Sequence, residues 1–284
     1  MIVTAVITFI LALVFALYPI ISTAYNERHQ SQIHTQYQKQ VQDTDNRELA
    51  EALKKAQTYN ESIVSGATDN GFAENALAGA AADYVDLLNV TGRGIMGYLL
   101  VPKIDVTLPI YHGTDSGTLE RGIGHLLGTS LPVGGESTHT VLTAHSGIAS
   151  QRMFSDLPQL KIGDVFYLEV LGETLAYQVD QINTVLPHDT TYLGIESGQD
   201  LCTLVTCTPF GVNTHRLLVR GHRIPHKEAE QIIQQQEETQ MESGSTWQNE
   251  YIKGIALGLG IVLFFLIIFL IIWLIRRMRR EKKK

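Results

Sequence analysis

Residues 254–275 (GIALGLGIVLFFLIIFLIIWLI) carry no charge and no proline. At ~1.5 Å per residue, a helix of that length reaches across the roughly 30 Å hydrocarbon core of a bilayer. Uncharged runs this long are rare in soluble cores, so the sequence predicts a C-terminal transmembrane helix over 253–275. The tail behind it, 276–284 (RRMRREKKK), holds seven basic side chains and one acidic one. The positive-inside tendency puts that tail in the cytoplasm. Ile2 to about Ile21 is uncharged as well. It exceeds the apolar core of a usual signal peptide and ends on no clean small-x-small cleavage site. An uncleaved anchor over 1–22 is therefore expected, rather than a removed leader. With a lipid bilayer at both ends, residues 22–253 are expected on the extracytoplasmic side.

The segment between the two runs has to fold in water. The chain of 284 residues is 44% hydrophobic and 18% charged, the balance of a packed core and not of a disordered chain. Its net charge of −7 conceals an asymmetry: the tail carries +6, and the remaining 15 basic and 28 acidic residues leave the body at −13. An acidic body with one basic tip lacks the spread of cations that a nucleic-acid backbone requires, so no nucleic-acid partner is expected. Two cysteines are too few for a disulfide-dense scaffold or a four-thiolate metal site.

From Asn26 to about Asn89 the chain is rich in Gln, Glu, Ala, Asn and Asp, with almost no strand pattern. Apolar residues at helical spacing, Leu49, Leu53, Ala56 and Tyr59, then Tyr84, Leu87 and Leu88, predict a helical extension over 23–91. Within it, 65–79 (SGATDNGFAENALAG) is small and polar and reads as a loop. After Gly92 the texture changes to short β-branched and aromatic runs punctuated by Gly, Pro, Asp and Asn. That pattern predicts a mainly β domain, a barrel or sandwich, over 92–226. The clearest hairpin is 162–180, where FYLEV and LAYQV flank Gly172-Glu173. Residues 227–252 are polar and proline-free and read as an exposed helix or tether.

Chemistry is suggested first by Cys207. As a strand, Leu201–Cys207 puts Thr203, Val205 and Cys207 on one face and Cys202, Leu204 and Thr206 on the other. A Cys202–Cys207 disulfide within one strand is awkward at that odd separation, so two free thiols are expected. Cys202 reads as a small core residue. Cys207, beside Pro209 and Gly211 at a strand end, is positioned to reach a cleft. A reactive thiol needs a base or a cation nearby. The next strand, Thr214–Arg220, offers Arg216 on the face of Leu218 and Arg220, with His215 on the opposite face. An arginine turned inward among apolar neighbours is costly unless it is paired or lines a site. His145, at the end of Val141–His145, is a second strand-end candidate. His215, His222 and His226 invite a metal reading, but no carboxylate or cysteine completes a ligand spacing, and no metal is expected.

Thr203-Leu204-Val205-Thr206-Cys207 resembles the TLxTC signature of sortases, the cell-wall transpeptidases of Gram-positive bacteria. Thr143-Ala144-His145 is similar to their histidine segment, and Asn213–Gly221 to their arginine strand. The segments 94–98 (GIMGY), 102–105 (PKID), 108–114 (LPIYHGT) and 124–132 (GHLLGTSLP) resemble the class C, pilus-building branch. The likeness covers roughly residues 84–225. It implies an eight-stranded β-barrel preceded by helices, and a reaction without metal, nucleotide or other cofactor. It also implies roles: Cys207 as the nucleophile that forms an acyl thioester, His145 as general acid/base, and Arg216 as stabiliser of the substrate carbonyl and oxyanion. The implied partners are pilin proteins with LPxTG-like sorting motifs, joined through a lysine amine. Class C enzymes usually carry a lid anchored by an Asp-Pro-aromatic triplet, and no proline here follows an aspartate. The nearest substitutes are Asp69 and Phe72 in the 65–79 loop, where Gly71 gives a looser anchor than proline.

Three other readings compete. A wall-anchoring sortase uses a peptidoglycan amine as acceptor; the C-terminal anchor and the breadth of the class C resemblance count against it. A catalytically idle adhesin or scaffold on the same barrel has no need of Cys207, His145 and Arg216 together. A thiol hydrolase would release the acyl group to water, and an added amine distinguishes it.

Overall fold

The computed structural model describes residues 2–66, 84–147, 152–240, 253–260 and 262. Residues 17–241 form one compact unit and residues 1–16 with 242–284 another. Two helices lead into the larger unit, α1 (Ile2–Asp43) and α2 (Asn46–Gly66). Eight strands follow: β1 (Ile95–Val101), β2 (Val106–His112), β3 (Ile123–His125), β4 (Thr138–Thr143), β5 (Val165–Val170), β6 (Glu173–Val185), β7 (Asp200–Thr208) and β8 (His215–Ile224). A short α3 (Ser116–Arg121) sits between β2 and β3, and α4 (His226–Gln240) ends the unit. The strands close into a barrel in the order β1-β2-β3-β4-β7-β8-β6-β5. The β2–β3 and β4–β7 pairs are parallel and the other pairs antiparallel. Closure leaves no exposed strand edge. The eight-stranded barrel with helices before it agrees with the expectation from sequence.

Alternation along the strands fills the interior. Leu99, Val101, Ile110, Phe166, Leu168, Tyr177, Cys202, Leu204, Leu217 and Val219 belong to one buried cluster. The helical extension closes one side of it. Leu49, Leu53, Ala56, Tyr59 and Ile63 recur at spacings of three and four along α2 and pack into the same cluster. Asn60 secures the docking: its Nδ2 donates to the Leu131 carbonyl (3.2 Å) and its Oδ1 accepts from the Leu131 N–H (2.7 Å). Tyr37 and Val41 of α1 pack on Ile95, Tyr98 and Tyr111, and His34 meets Glu169 at 2.7 Å.

Local details depart from the sequence reading. The β5–β6 hairpin turns on Leu171-Gly172, one residue earlier than expected, because Val170 pairs with Glu173. Both turn residues have positive φ (52° and 84°), the requirement of the tight turn that matches strand twist. Tyr84 is helical, but Val85–Leu88 form turns; Leu88 has φ 60°, outside the right-handed helical region. Apolar spacing of three or four residues suits a turn that buries both Tyr84 and Leu88 as well as it suits a helix. The start of the polar tether is docked. Ala229 of α4 is fully buried with Val165, Tyr167, Ala176 and Ile224, and Ile232 and Ile233 pack beside it. The 229/232/233 spacing carries that signal among the surrounding Gln and Glu.

Among the described residues no helix is long and apolar enough to cross a membrane. Most of the 254–275 run lies outside the described residues, as do Asp69, Phe72 and the rest of 67–83.

Candidate active site

Strands β7 and β8 and the segment that follows β4 bring the backbones of Cys207, Arg216 and His145 side by side. Cys207 lies near the end of β7 and pairs across the antiparallel ladder with Arg216 of β8. On the other side of β7 the parallel β4 ladder pairs Thr143 with Val205, and the Ala144 N–H continues it to the Val205 carbonyl (3.1 Å). Two further residues along that register stand His145 and Cys207. Residues 62 and 9 positions away in the chain thus stand on either side of the Cys207 backbone.

Burial separates the two cysteines as alternation requires. Cys202 is fully buried in the interior cluster with Leu204, and burial, reinforced by the Asp200 carboxylate, pushes its thiol well above the usual range. Cys207 is half-buried, and both thiols are free. The sequence had Arg216 turned inward among apolar neighbours. It lies instead on the outer wall of the barrel, on the face of Leu218, while Leu217 and Val219 fill the interior. The outer face is itself partly covered. Leu193, in the connection between β6 and β7, packs on Val141, Val185, Val205 and Leu218, so an outward-facing strand end here lies beside a second small apolar cluster.

The two arginines on that face are used differently. Arg220 donates from Nε and Nη2 to Asp180 (3.0 and 3.1 Å) and from Nη1 to Glu196 (2.6 Å), and these pairings raise its pKa against the opposing effect of burial. Arg216 donates from Nη1 to the carbonyls of His215 (3.0 Å) and Asn213 (3.3 Å), and among the described residues no carboxylate pairs with it. A guanidinium not neutralised by a carboxylate, level with a thiol, suits a carbonyl oxygen that gains negative charge.

His145 is held through its backbone. Its carbonyl accepts from the Phe154 N–H (3.0 Å), Thr206 Oγ1 donates to the Ala144 carbonyl (2.8 Å), and Ser146 Oγ donates to the Cys207 carbonyl (2.7 Å). Behind it, His139 is nearly fully buried. Its Nδ1–H donates to the Gly194 carbonyl (2.7 Å), so its Nε2 accepts from the Thr203 hydroxyl (2.7 Å). Burial holds its pKa below the ordinary histidine value, and the network ties the β6–β7 connection to β7.

The other histidines stand elsewhere. His215 pairs with Thr208, one step from the Cys207–Arg216 pair, and its Nδ1 meets Thr214 Oγ1 (2.9 Å). His222 lies at the far end of β8, about 23 Å along an extended strand from His215, and His226 begins α4 beside Glu230. Among the described residues no cluster of His, Cys, Asp and Glu is arranged to hold a metal. Ser146, Thr206 and His139 were not singled out from the sequence. The available signal was Thr206, a hydroxyl alternating with Leu204 into an apolar interior, which must find an acceptor there.

A Sortase domain model matches residues 99–224. Sortase D of Bacillus subtilis (strain 168) is 30% identical over 131 residues, which cover 45% of this chain and 63% of that relative, so less than two thirds of its length is spanned. The crystal structure of sortase C1 from Streptococcus agalactiae superposes with a TM-score of 0.65 at 46% identity, covering 69% of this chain and 99% of that one. Sortase C from Streptococcus pneumoniae, whose structure was described with respect to catalysis and pilin substrate specificity, superposes at 0.61 with 42% identity, covering 69% of this chain and 97% of that one.

Proposed function

This chain belongs to the sortase family, in its class C branch, and from that premise we propose that it is a membrane-anchored cysteine transpeptidase that builds covalent pili. The observation that carries the reading is the approach of His145, just past β4, to Cys207 of β7 and its ladder partner Arg216 of β8. Cys207 gives its thiol proton to His145 as its sulfur attacks the Thr carbonyl carbon of an LPxTG-like motif, and the oxygen takes up negative charge beside Arg216. Collapse breaks the Thr–Gly bond. His145 protonates the departing glycine amine and leaves a Cys207 thioester. A lysine amine of the next pilin then enters, gives a proton to His145 and attacks the thioester; an isopeptide bond forms and the thiol is released. The acyl bond energy is conserved in the thioester, so the exchange needs no nucleotide. The acceptor is inferred from the class C relatives, among them an enzyme described for its pilin substrate.

The apolar run at the start of α1 supports the anchoring part of the proposal. Ile7, Phe9, Leu11, Val14, Phe15 and Ile21 are exposed, a surface suited to lipid. With the 254–275 run and its basic tail, this supports a reading in which the barrel stands on the extracytoplasmic side of the cell membrane.

The test is to incubate the protein with a peptide carrying an LPxTG-like motif and a lysine-containing acceptor peptide. Mass spectrometry should find a thioester on Cys207 and an isopeptide-linked product. A ligated product from the Cys207→Ala variant, or an intact donor peptide with the unaltered protein, would refute the proposal.

A further inference from the structure

The β4–β7 ladder ends just where its two chemical residues begin. Backbone pairing runs from Thr138↔Asp200 to Thr143↔Val205 and finishes with the Ala144 N–H on the Val205 carbonyl. Beyond it the chain turns away, because the His145 carbonyl is taken by the Phe154 N–H. Main-chain bonds between the strands therefore stop short of His145 and Cys207. At that point two hydroxyls cross the gap in opposite directions. Thr206, the residue before Cys207, donates to the carbonyl of Ala144, the residue before His145 (2.8 Å). Ser146, the residue after His145, donates to the carbonyl of Cys207 itself (2.7 Å).

We propose that Ser146 and Thr206 are positioning residues, a reciprocal clasp that fixes the His145 backbone against the Cys207 backbone where the sheet no longer does so. The inference rests on the function proposed above for this site. Neither hydroxyl has to touch substrate. Thr206 is buried on the interior face beside Leu204, where its hydroxyl requires a partner. Ser146 is half-buried at the surface end of the site. Proton transfer needs heavy atoms within about 2.6–3.2 Å, and a displacement of ~1 Å costs on the order of 10²-fold in rate. Two bonds that set the relative height of the two backbones therefore act on turnover and leave substrate binding largely alone.

Ser146→Ala carries the test, because Thr206→Val alters a buried site and can impair folding. The full-length chain is assayed in detergent with an LPxTG-like peptide and a lysine peptide, beside Ser146→Thr, Thr206→Ser and His145→Ala. Ser146→Ala should lower kcat about tenfold, with KM within about twofold and an unchanged melting temperature. Ser146→Thr and Thr206→Ser, which keep the hydroxyls, should retain most of the activity. A second readout needs no substrate: the pH profile of Cys207 alkylation by iodoacetamide should move in Ser146→Ala in the same direction as in His145→Ala. If Ser146→Ala keeps kcat within twofold of the unaltered chain, or if its alkylation profile coincides with that of the unaltered chain while His145→Ala is displaced, the clasp is refuted. Absence of peptide turnover by the unaltered chain, with a displaced Ser146→Ala profile, would refute the transpeptidase reading and uphold the clasp.

Discussion

Acidification should weaken the barrel well above the range in which its carboxylates titrate, and His125 should account for much of the loss. His125 ends β3, opposite Leu142 of β4, three residues before His145. It is fully buried. Its Nε2–H donates to the Ser130 carbonyl (2.9 Å) and its Nδ1 accepts from the Tyr84 hydroxyl (2.8 Å), which itself accepts from the Gly113 N–H (3.1 Å). Burial pulls its pKa down from 6.5 to about 4. The unfolded chain therefore binds this proton more readily than the folded one. The stability in question is fully present above pH 6.5 and is lost as pH falls from 6.5 towards 4. Between pH 7.5 and pH 5 the loss from this one group is about 2 kcal/mol. His112 and His139, whose pKa values burial also lowers, add in the same direction. Glu169, whose pKa is lowered first by the hydrogen bond from His34, acts in a lower window and is still ionised at pH 5. The assay is urea unfolding followed by near-UV circular dichroism of the buried tyrosines, at both pH values, for the unaltered chain and His125→Gln. With a slope of ~1–3 kcal/mol per molar urea, the midpoint of the unaltered chain should fall by about 1 M more than that of the variant. Gln loses some stability at every pH, so the difference between pH values is the quantity that counts. An equal fall in both proteins would refute the reasoning.

Cys207→Ala should abolish thioester formation, whereas Cys202→Ala should keep most of the activity and lose ~1 kcal/mol of stability from the small interior gap, measured by mass spectrometry and thermal melting. Removing His145 should cost ~10²–10⁴-fold in transpeptidation, and His215→Ala far less, since His215 precedes Arg216 and alternates to the other face; peptide ligation rates check both. The 65–79 loop, with three glycines and no Asp-Pro step, is expected to form a lid that is open much of the time or no lid at all, because ordering each residue costs ~1–2 kcal/mol. Asp69→Ala/Phe72→Ala should therefore raise the Cys207 alkylation rate only modestly, and a large acceleration would show a tight plug.

The candidate residues of the site could be named before any fold was known. Period-two alternation in Leu201–Cys207 is a local property of an extended chain, so it separated Cys207 from Cys202 and Arg216 from His215 without reference to neighbours. Helical spacing likewise marked Leu49, Leu53, Ala56 and Tyr59 as one packing face. Local pattern was a weaker guide where a turn competes with a helix, as at Val85–Leu88, or where a single residue shifts a hairpin, as at Leu171-Gly172. What no one-dimensional pattern contains is strand order. The β4–β7 pairing brings the end of β4 beside the end of β7, so that His145 follows close to Cys207 across 62 residues, and barrel closure turns the face of Arg216 outward, the face on which Leu218 packs with Leu193. The Ser146 and Thr206 bonds exist only because that parallel ladder ends where it does. Alternation states that a side chain faces one way or the other, but which face becomes the interior is decided when the sheet closes. Burial of the whole barrel settles that choice, and it draws on residues from every strand at once.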